Sequence, residues 1–171
     1  PLPAYERALE VRRSFFEVEL TRGEFLLARG DRAGARDSAA RALEIHPELP
    51  AALELMARAS EGDEALRLAR EARAAGPASY EAAVTLAELL LARGDATGAL
   101  VELEAARALE GCQNRVNLLR ARALYRRGIE GGPGGRADLE AALQVCPEHH
   151  HHDEVPWEEL RAAIRRAQVK G

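Results

Sequence analysis

Three times along this chain a Gly-Asp pair opens an Ala-rich amphipathic stretch that closes on Pro or Gly. The stretches are GDRAGARDSAARALEIHP (Gly30 to Pro47), GDEALRLAREARAAGP (Gly62 to Pro77) and GDATGALVELEAARALEG (Gly94 to Gly111). Each reads as turn, helix, stop. Glycine permits the positive φ with which a preceding helix ends, and aspartate caps the next helix. Proline cannot continue a helix, so it ends one and starts the next. Upstream of each Gly-Asp lies a second helix-length apolar pattern: FFEVELTRGEFLLAR, PAALELMARAS and YEAAVTLAELLLAR. The unit is therefore a helical hairpin. Four such units are expected, at 16–49, 50–79, 80–113 and 114–149.

Composition agrees with a helical core and excludes several alternatives. Apolar residues make up 47% of the 171 positions and charged residues 30%, which is globular rather than disordered. Aromatics are only 4%, so the core must come from Ala, Leu and Val, and small Ala side chains let helices approach closely. The net charge of −4, with Arg and Glu interleaved, lacks the basic stripe of a nucleic-acid binder. No apolar run reaches the ~18 residues of a membrane span, and no signal-peptide pattern is present. The chain opens on Pro1 rather than Met, which predicts a processed or excised piece of a longer protein.

In these units the chain resembles the tetratricopeptide repeat family, whose period is about 34 residues. Unit one supplies Gly23, Leu26, Ala35, Ala39, Ala42 and Pro47. Unit two supplies Leu53, Met56, Ala57, Ala65, Ala69, Ala72 and Pro77, and lacks about one helical turn before its Gly-Asp. Unit three supplies Leu86, Ala87, Leu90, Ala99, Leu103 and Ala106, with Gly111 where Pro is usual. Unit four has Ala121, Leu124, Gly128, Ala142 and Pro147, but its turn is stretched from Ile129 through Gly131, Gly132, Pro133 and Gly134 to Gly135. That run is expected to be non-helical and mobile. The resemblance implies an all-α fold: a right-handed α-α superhelix of about four hairpins. Residues 1–15 look like the last helix of a preceding repeat. Residues 150–171 are expected to be a linker and a capping helix. There Pro156 suits a first helical position, and Trp157, Leu160 and Ile164 share one face.

For function, the resemblance implies a non-enzymatic scaffold or adaptor. It would bind a peptide or partner protein in the concave groove lined by the first helix of each hairpin. The groove register falls on Glu17, Leu20, Glu24 and Leu27 in unit one and on Glu54 and Arg58 in unit two. It continues on Glu81, Val84, Glu88 and Leu91 in unit three and on Arg115, Leu118, Arg122 and Tyr125 in unit four. The partner-binding residues expected from it are Leu20, Glu24, Leu27, Arg58, Val84, Glu88, Leu91, Arg115, Leu118, Arg122 and Tyr125. The strip is apolar and changes from acidic in units one and three to basic in unit four. An alternative reading packs these side chains against neighbouring helices or the cap. Family members that bind chaperone tails use a carboxylate clamp of Lys, Asn and Arg. The corresponding places here hold Leu20, Glu24, Leu55, Glu81 and Thr85, so that partner is not expected.

Chemistry elsewhere in the sequence is sparse. No phosphate loop or nucleophile-base pattern appears, and no cofactor or catalytic residue is expected. The run His149 to His152, near Cys146 and Asp153, is read first as a solvated linker, because four adjacent residues do not converge on one ion, with a metal-binding role as the less favoured alternative. His46 is read as a helix C-terminal capping residue, where a cation complements the dipole. Cys112 and Cys146 are expected to be free thiols, which favours a reducing cytoplasm. Nucleic acid and membrane are not expected as partners. Self-assembly into a homo-oligomer, through the N-terminal helix and the apolar strip, is the second function considered.

Overall fold

The computed structural model describes residues 2–109, 113–130, 134–145 and 157–170, with side chains from residue 15 onward except those of residues 113, 157 and 170. Among the described residues the chain is all helix and turn, with no strand. The order is α1 (Leu2–Ala28), α2 (Arg32–Ile45), α3 (Pro50–Ala59), α4 (Gly62–Ala75), α5 (Tyr80–Ala92), α6 (Ala96–Arg107), α7 (Gln113–Ile129), α8 (Gly135–Val145) and α9 (Trp157–Lys170). No helix among the described residues is long and apolar enough to cross a membrane. The chain divides into two compact units, Pro1–Leu86 and Ala87–Gly171, with the boundary inside α5.

The repeat is visible as geometry. Gly30 and Gly94 have φ of 81° and 88°, which an L side chain rarely adopts. In each turn the next N–H reaches back to the helix it leaves: Asp31 N donates to Leu26 O and Asp95 N to Leu90 O, both at 2.9 Å. The aspartates then cap the second helix of the hairpin, accepting from Gly34 N at 2.9 Å and Gly98 N at 2.8 Å. Unit two departs from this pattern. Its first helix, α3, has 10 residues and stops at Ala59, and α4 starts at Gly62 with no side-chain cap. The missing turn moves Asp63 from the capping place into the first turn of α4.

The second helices bury a narrow stripe, mostly of small residues, at i, i+4 and i+7. These are Ala35, Ala39 and Ala42 in α2, Ala65, Ala69 and Ala72 in α4, and Ala99, Leu103 and Ala106 in α6. In α8 the same stripe is Gly135, Leu139 and Ala142. The long turn of unit four corrects the sequence reading at both ends, since Ile129 ends α7 and Gly135 starts α8. A Cβ on Gly135 would lie 2.6 Å from Gly128 O, so glycine is needed there for close approach rather than for a loop. The middle of that turn, 131–133, lies outside the described residues, as do Cys112, Cys146 and His149 to His152.

At the C-terminal end Ile164 of α9 is fully buried in a cluster with Ala121, Leu124, Leu139 and Ala142, and Leu160 packs beside it. α9 thus covers the last hairpin. At the N-terminal end α1 runs unbroken from Leu2 to Ala28, so no helix end separates residues 1–15 from 16–28. His46 is the C-cap of α2, and its ring meets Phe16 edge-on at 5.1 Å.

The close contact of α7 with α8 yields a test. A Cβ on Gly128 would sit 2.8 Å from Leu139 Cγ and 3.0 Å from Gly135 O, neither of which can swing away. Gly128→Val is expected to destabilise the protein by about 1–3 kcal/mol in urea unfolding, the range for overpacking a tight contact. Gly128→Ala should cost less.

Candidate functional site

The first helices carry polar contacts from one hairpin to the next. In the unit Pro1–Leu86, Glu24 of α1 accepts two hydrogen bonds from Arg58 of α3, at 2.9 and 3.1 Å. Arg58 also lies 3.6 Å from Glu54, one turn back on its own helix. Glu54 in turn accepts from the Thr85 hydroxyl of α5 at 2.7 Å, and both side chains are buried. Removal from water pushes the Glu54 carboxyl above its ordinary 4.5, and the Thr85 hydrogen bond and the Arg58 charge only partly oppose this. Glu24 and Glu81 push in the same direction as burial.

In the unit Ala87–Gly171 the contact is Glu88 with Arg115 of α7, at 2.9, 3.0 and 3.2 Å. Arg126 donates to the backbone oxygen of Leu91 at 2.8 Å. Arg127 forms a fork with Asp138 of α8, at 2.7 and 2.5 Å, and that pairing raises the Arg127 pKa.

These contacts sort the residues expected to meet a partner. Glu24, Arg58, Glu88 and Arg115 are at least partly exposed but already answer one another, so the expected change of charge along the strip is largely cancelled inside the molecule. Arg122 is exposed and has no ion pair among the described residues. Leu20 and Leu27 are half-buried against Ala35, Ala39, Leu55 and Ala59. Leu118 and Tyr125 are half-buried against the cluster that holds Ile164, and Leu91 is half-buried too. Val84 is the exception. None of its surface is exposed, so its side chain belongs to the packing. The corresponding place in α1 is Leu20, which keeps part of its surface.

The sequence places Glu54 in the groove register without showing that it is buried, and it does not single out Glu19 at all. Glu54 stands where α5 has Val84 and α1 has Leu20, a charged residue in an otherwise apolar register, and that mismatch was the available signal. Glu19 is 8% exposed, with Arg41 at 3.5 Å and Arg22 at 3.6 Å. Among the described residues no three His, Cys, Asp or Glu side chains converge as metal ligands.

A search of solved structures finds a thermophilic TPR protein from Thermus thermophilus. It matches over 98% of this chain and 89% of its own length, with a TM-score of 0.57 and 18% identity. The chain has the tetratricopeptide-repeat fold. No protein-family model matches the sequence, and no curated protein matches it. The hairpins joined by Gly30-Asp31 and Gly94-Asp95 carry the turn chemistry of this fold most fully, and the short α3 departs from it.

Glu54 gives a pH prediction. A carboxyl whose pKa rises on folding favours the folded state below pH 4.5, and that contribution is lost as pH rises through the elevated folded value. Glu54→Gln keeps an acceptor for Thr85 and removes the buried charge. It is expected to be more stable than the parent at pH 7, with the difference vanishing as pH falls below 4.5, in urea titrations across that range. The Glu88–Arg115 pair is well solvated, so a double-mutant cycle to alanine should give a coupling below about 1 kcal/mol that shrinks with added salt.

Proposed function

We propose that the protein is a non-enzymatic scaffold that binds a peptide or partner protein on the exposed face of its first helices. The observation that carries this is a repeated arrangement within each unit. A half-exposed pair of apolar side chains stands next to a charged pair that is already satisfied. In the first unit these are Leu20 and Leu27 beside Glu24–Arg58. In the second, Leu118 and Tyr125 lie on the helix that also carries Arg115, paired to Glu88, with Leu91 beside Glu88 on α5. Apolar surface that stays partly open contributes binding free energy, and neighbouring satisfied charges set register and reject misaligned partners. The same arrangement defines the partner's chemistry. It carries apolar side chains for the leucines and an acidic group for Arg122, the cation on this face that no described acid answers. A cytoplasmic location is part of the same proposal, on the expectation that the two cysteines are free thiols.

Arg122→Glu separates binding from folding. The side chain is exposed and unpaired among the described residues, so stability should stay within about 0.5 kcal/mol of the parent. Proteins retained by the parent chain in affinity purification should be retained about tenfold less by the variant. An identical set of partners at identical yield would sink the assignment of this face.

A further inference from the structure

The face of α1 turned away from α2 carries Phe15, Val18 and Phe25, which are 61%, 63% and 59% exposed. They recur at the 3–4 spacing of one helix face, with Arg22 completing the row. In sequence the same spacing runs back through Val11, Ala8 and Ala4. An apolar row of this kind on a monomer marks an interaction site.

The repeat itself shows that this face is one the fold normally covers. The segment EFLLARGD of α1 and its turn matches ELLLARGD of α5 and its turn, so Val18 corresponds to Ala82, Arg22 to Leu86 and Phe25 to Leu89. The same register in α3 holds Ala52, Met56 and Ala59. Ala52 and Ala82 are fully buried, Ala59 is 3% exposed and Leu86 5%. Where another helix of the array covers the row, the residues at its first place are alanines, which suit close approach. In α1 that place holds Val18, and Phe25 stands where α3 has Ala59. The bulk suits a wider helix pair than the one between hairpins. α2 packs on α3 in this unit, and among the described residues no helix does the same for α1.

We propose that a second copy of this chain covers the row, with the two α1 helices antiparallel about a two-fold axis. Such an interface must be self-complementary, each residue meeting on the other copy the residue that meets it. The row has that property. Phe15 of one copy falls opposite Phe25 of the other, and Val18 packs along the Arg22 stem. Glu17 of one copy then lies beside Arg22 of the second, and the pair occurs twice. Among the described residues of one chain Arg22 has a 3.6 Å contact with Glu19, and it keeps about half of its side chain exposed. Arg29 lies over the Phe25 ring at 5.5 Å from its centre and closes the end of the row. A parallel pair would set Glu17 against Glu17 and Arg22 against Arg22, and is disfavoured by repulsion.

Sedimentation equilibrium of the 171-residue chain, under reducing conditions from about 1 μM to about 1 mM, tests this. A monomer–dimer equilibrium is expected. Val18→Glu with Phe25→Glu should raise the dimer dissociation constant roughly tenfold or more, with helix content by circular dichroism unchanged. Glu17→Arg alone and Arg22→Glu alone should each weaken the dimer several-fold, and the two together should restore it to within about threefold. A chain that stays monomeric throughout overturns the proposal, as does a dimer indifferent to Val18→Glu and Phe25→Glu. Failure of the double charge swap to restore association overturns the antiparallel arrangement.

Discussion

Close approach of the two helices within each hairpin is the constraint on which the rest of this structure depends. It is set at a few positions that tolerate no side chain or only a methyl group. A Cβ on Gly23 of α1 would lie 3.2 Å from Ser38 and 3.4 Å from the Ala35 backbone oxygen of α2, and 2.5 Å from Leu55 of the next hairpin. The fully buried alanines of α2, α4 and α6 continue that contact along each hairpin. With only 4% aromatic residues the chain has few large side chains to spend on a central core. Each hairpin therefore has a thin apolar interface and cannot bury enough surface alone, so neighbours must stack to complete it. α9 does this for the last hairpin by placing Ile164 against α7 and α8 residues.

The turn chemistry follows from the same need. Helices that approach closely must reverse direction in very few residues, and the Gly-Asp pair does so by ending one helix with a positive-φ glycine and capping the next with aspartate. Gly30-Asp31 and Gly94-Asp95 reproduce this with nearly equal dihedral angles and hydrogen-bond lengths. Gly62 keeps its positive φ of 62°, but α3 has already ended at Ala59, so the aspartate no longer caps. The deletion of one turn has been absorbed by the turn rather than by the packing, since Ala65, Ala69 and Ala72 of α4 remain fully buried.

The fold was legible because its determinants are local. A glycine that must take positive φ, an aspartate three residues before the amide it caps, and a small-residue stripe at helical spacing can all be recognised without knowing what lies opposite. The candidate site was legible only in part, because exposure depends on what lies opposite. Leu20 and Val84 hold equivalent places in α1 and α5, yet one keeps surface and the other keeps none. Spacing also could not show that Glu24 finds Arg58 or that Glu88 finds Arg115, since those pairs join different helices. Phe15, Val18 and Phe25 escaped notice for the opposite reason. Their spacing is that of an ordinary buried face, and only the absence of a described helix over α1 leaves them open.

The polar contacts between first helices fix position more than they add stability. Glu24–Arg58 and Glu88–Arg115 are solvated enough that each contributes little to folding. The Glu54–Thr85 contact is buried, and its carboxyl costs free energy when ionised, as the raised pKa records. Their effect is on register. A hairpin shifted by one turn would leave Glu54 buried without the Thr85 hydroxyl and part Arg58 from Glu24, while the stripe of alanines, being nearly uniform, would object far less. Small-residue packing lets the helices come together at many offsets, and the charged and hydroxyl groups select one. Within each unit the half-buried side chains of the first helices are thereby held in one register.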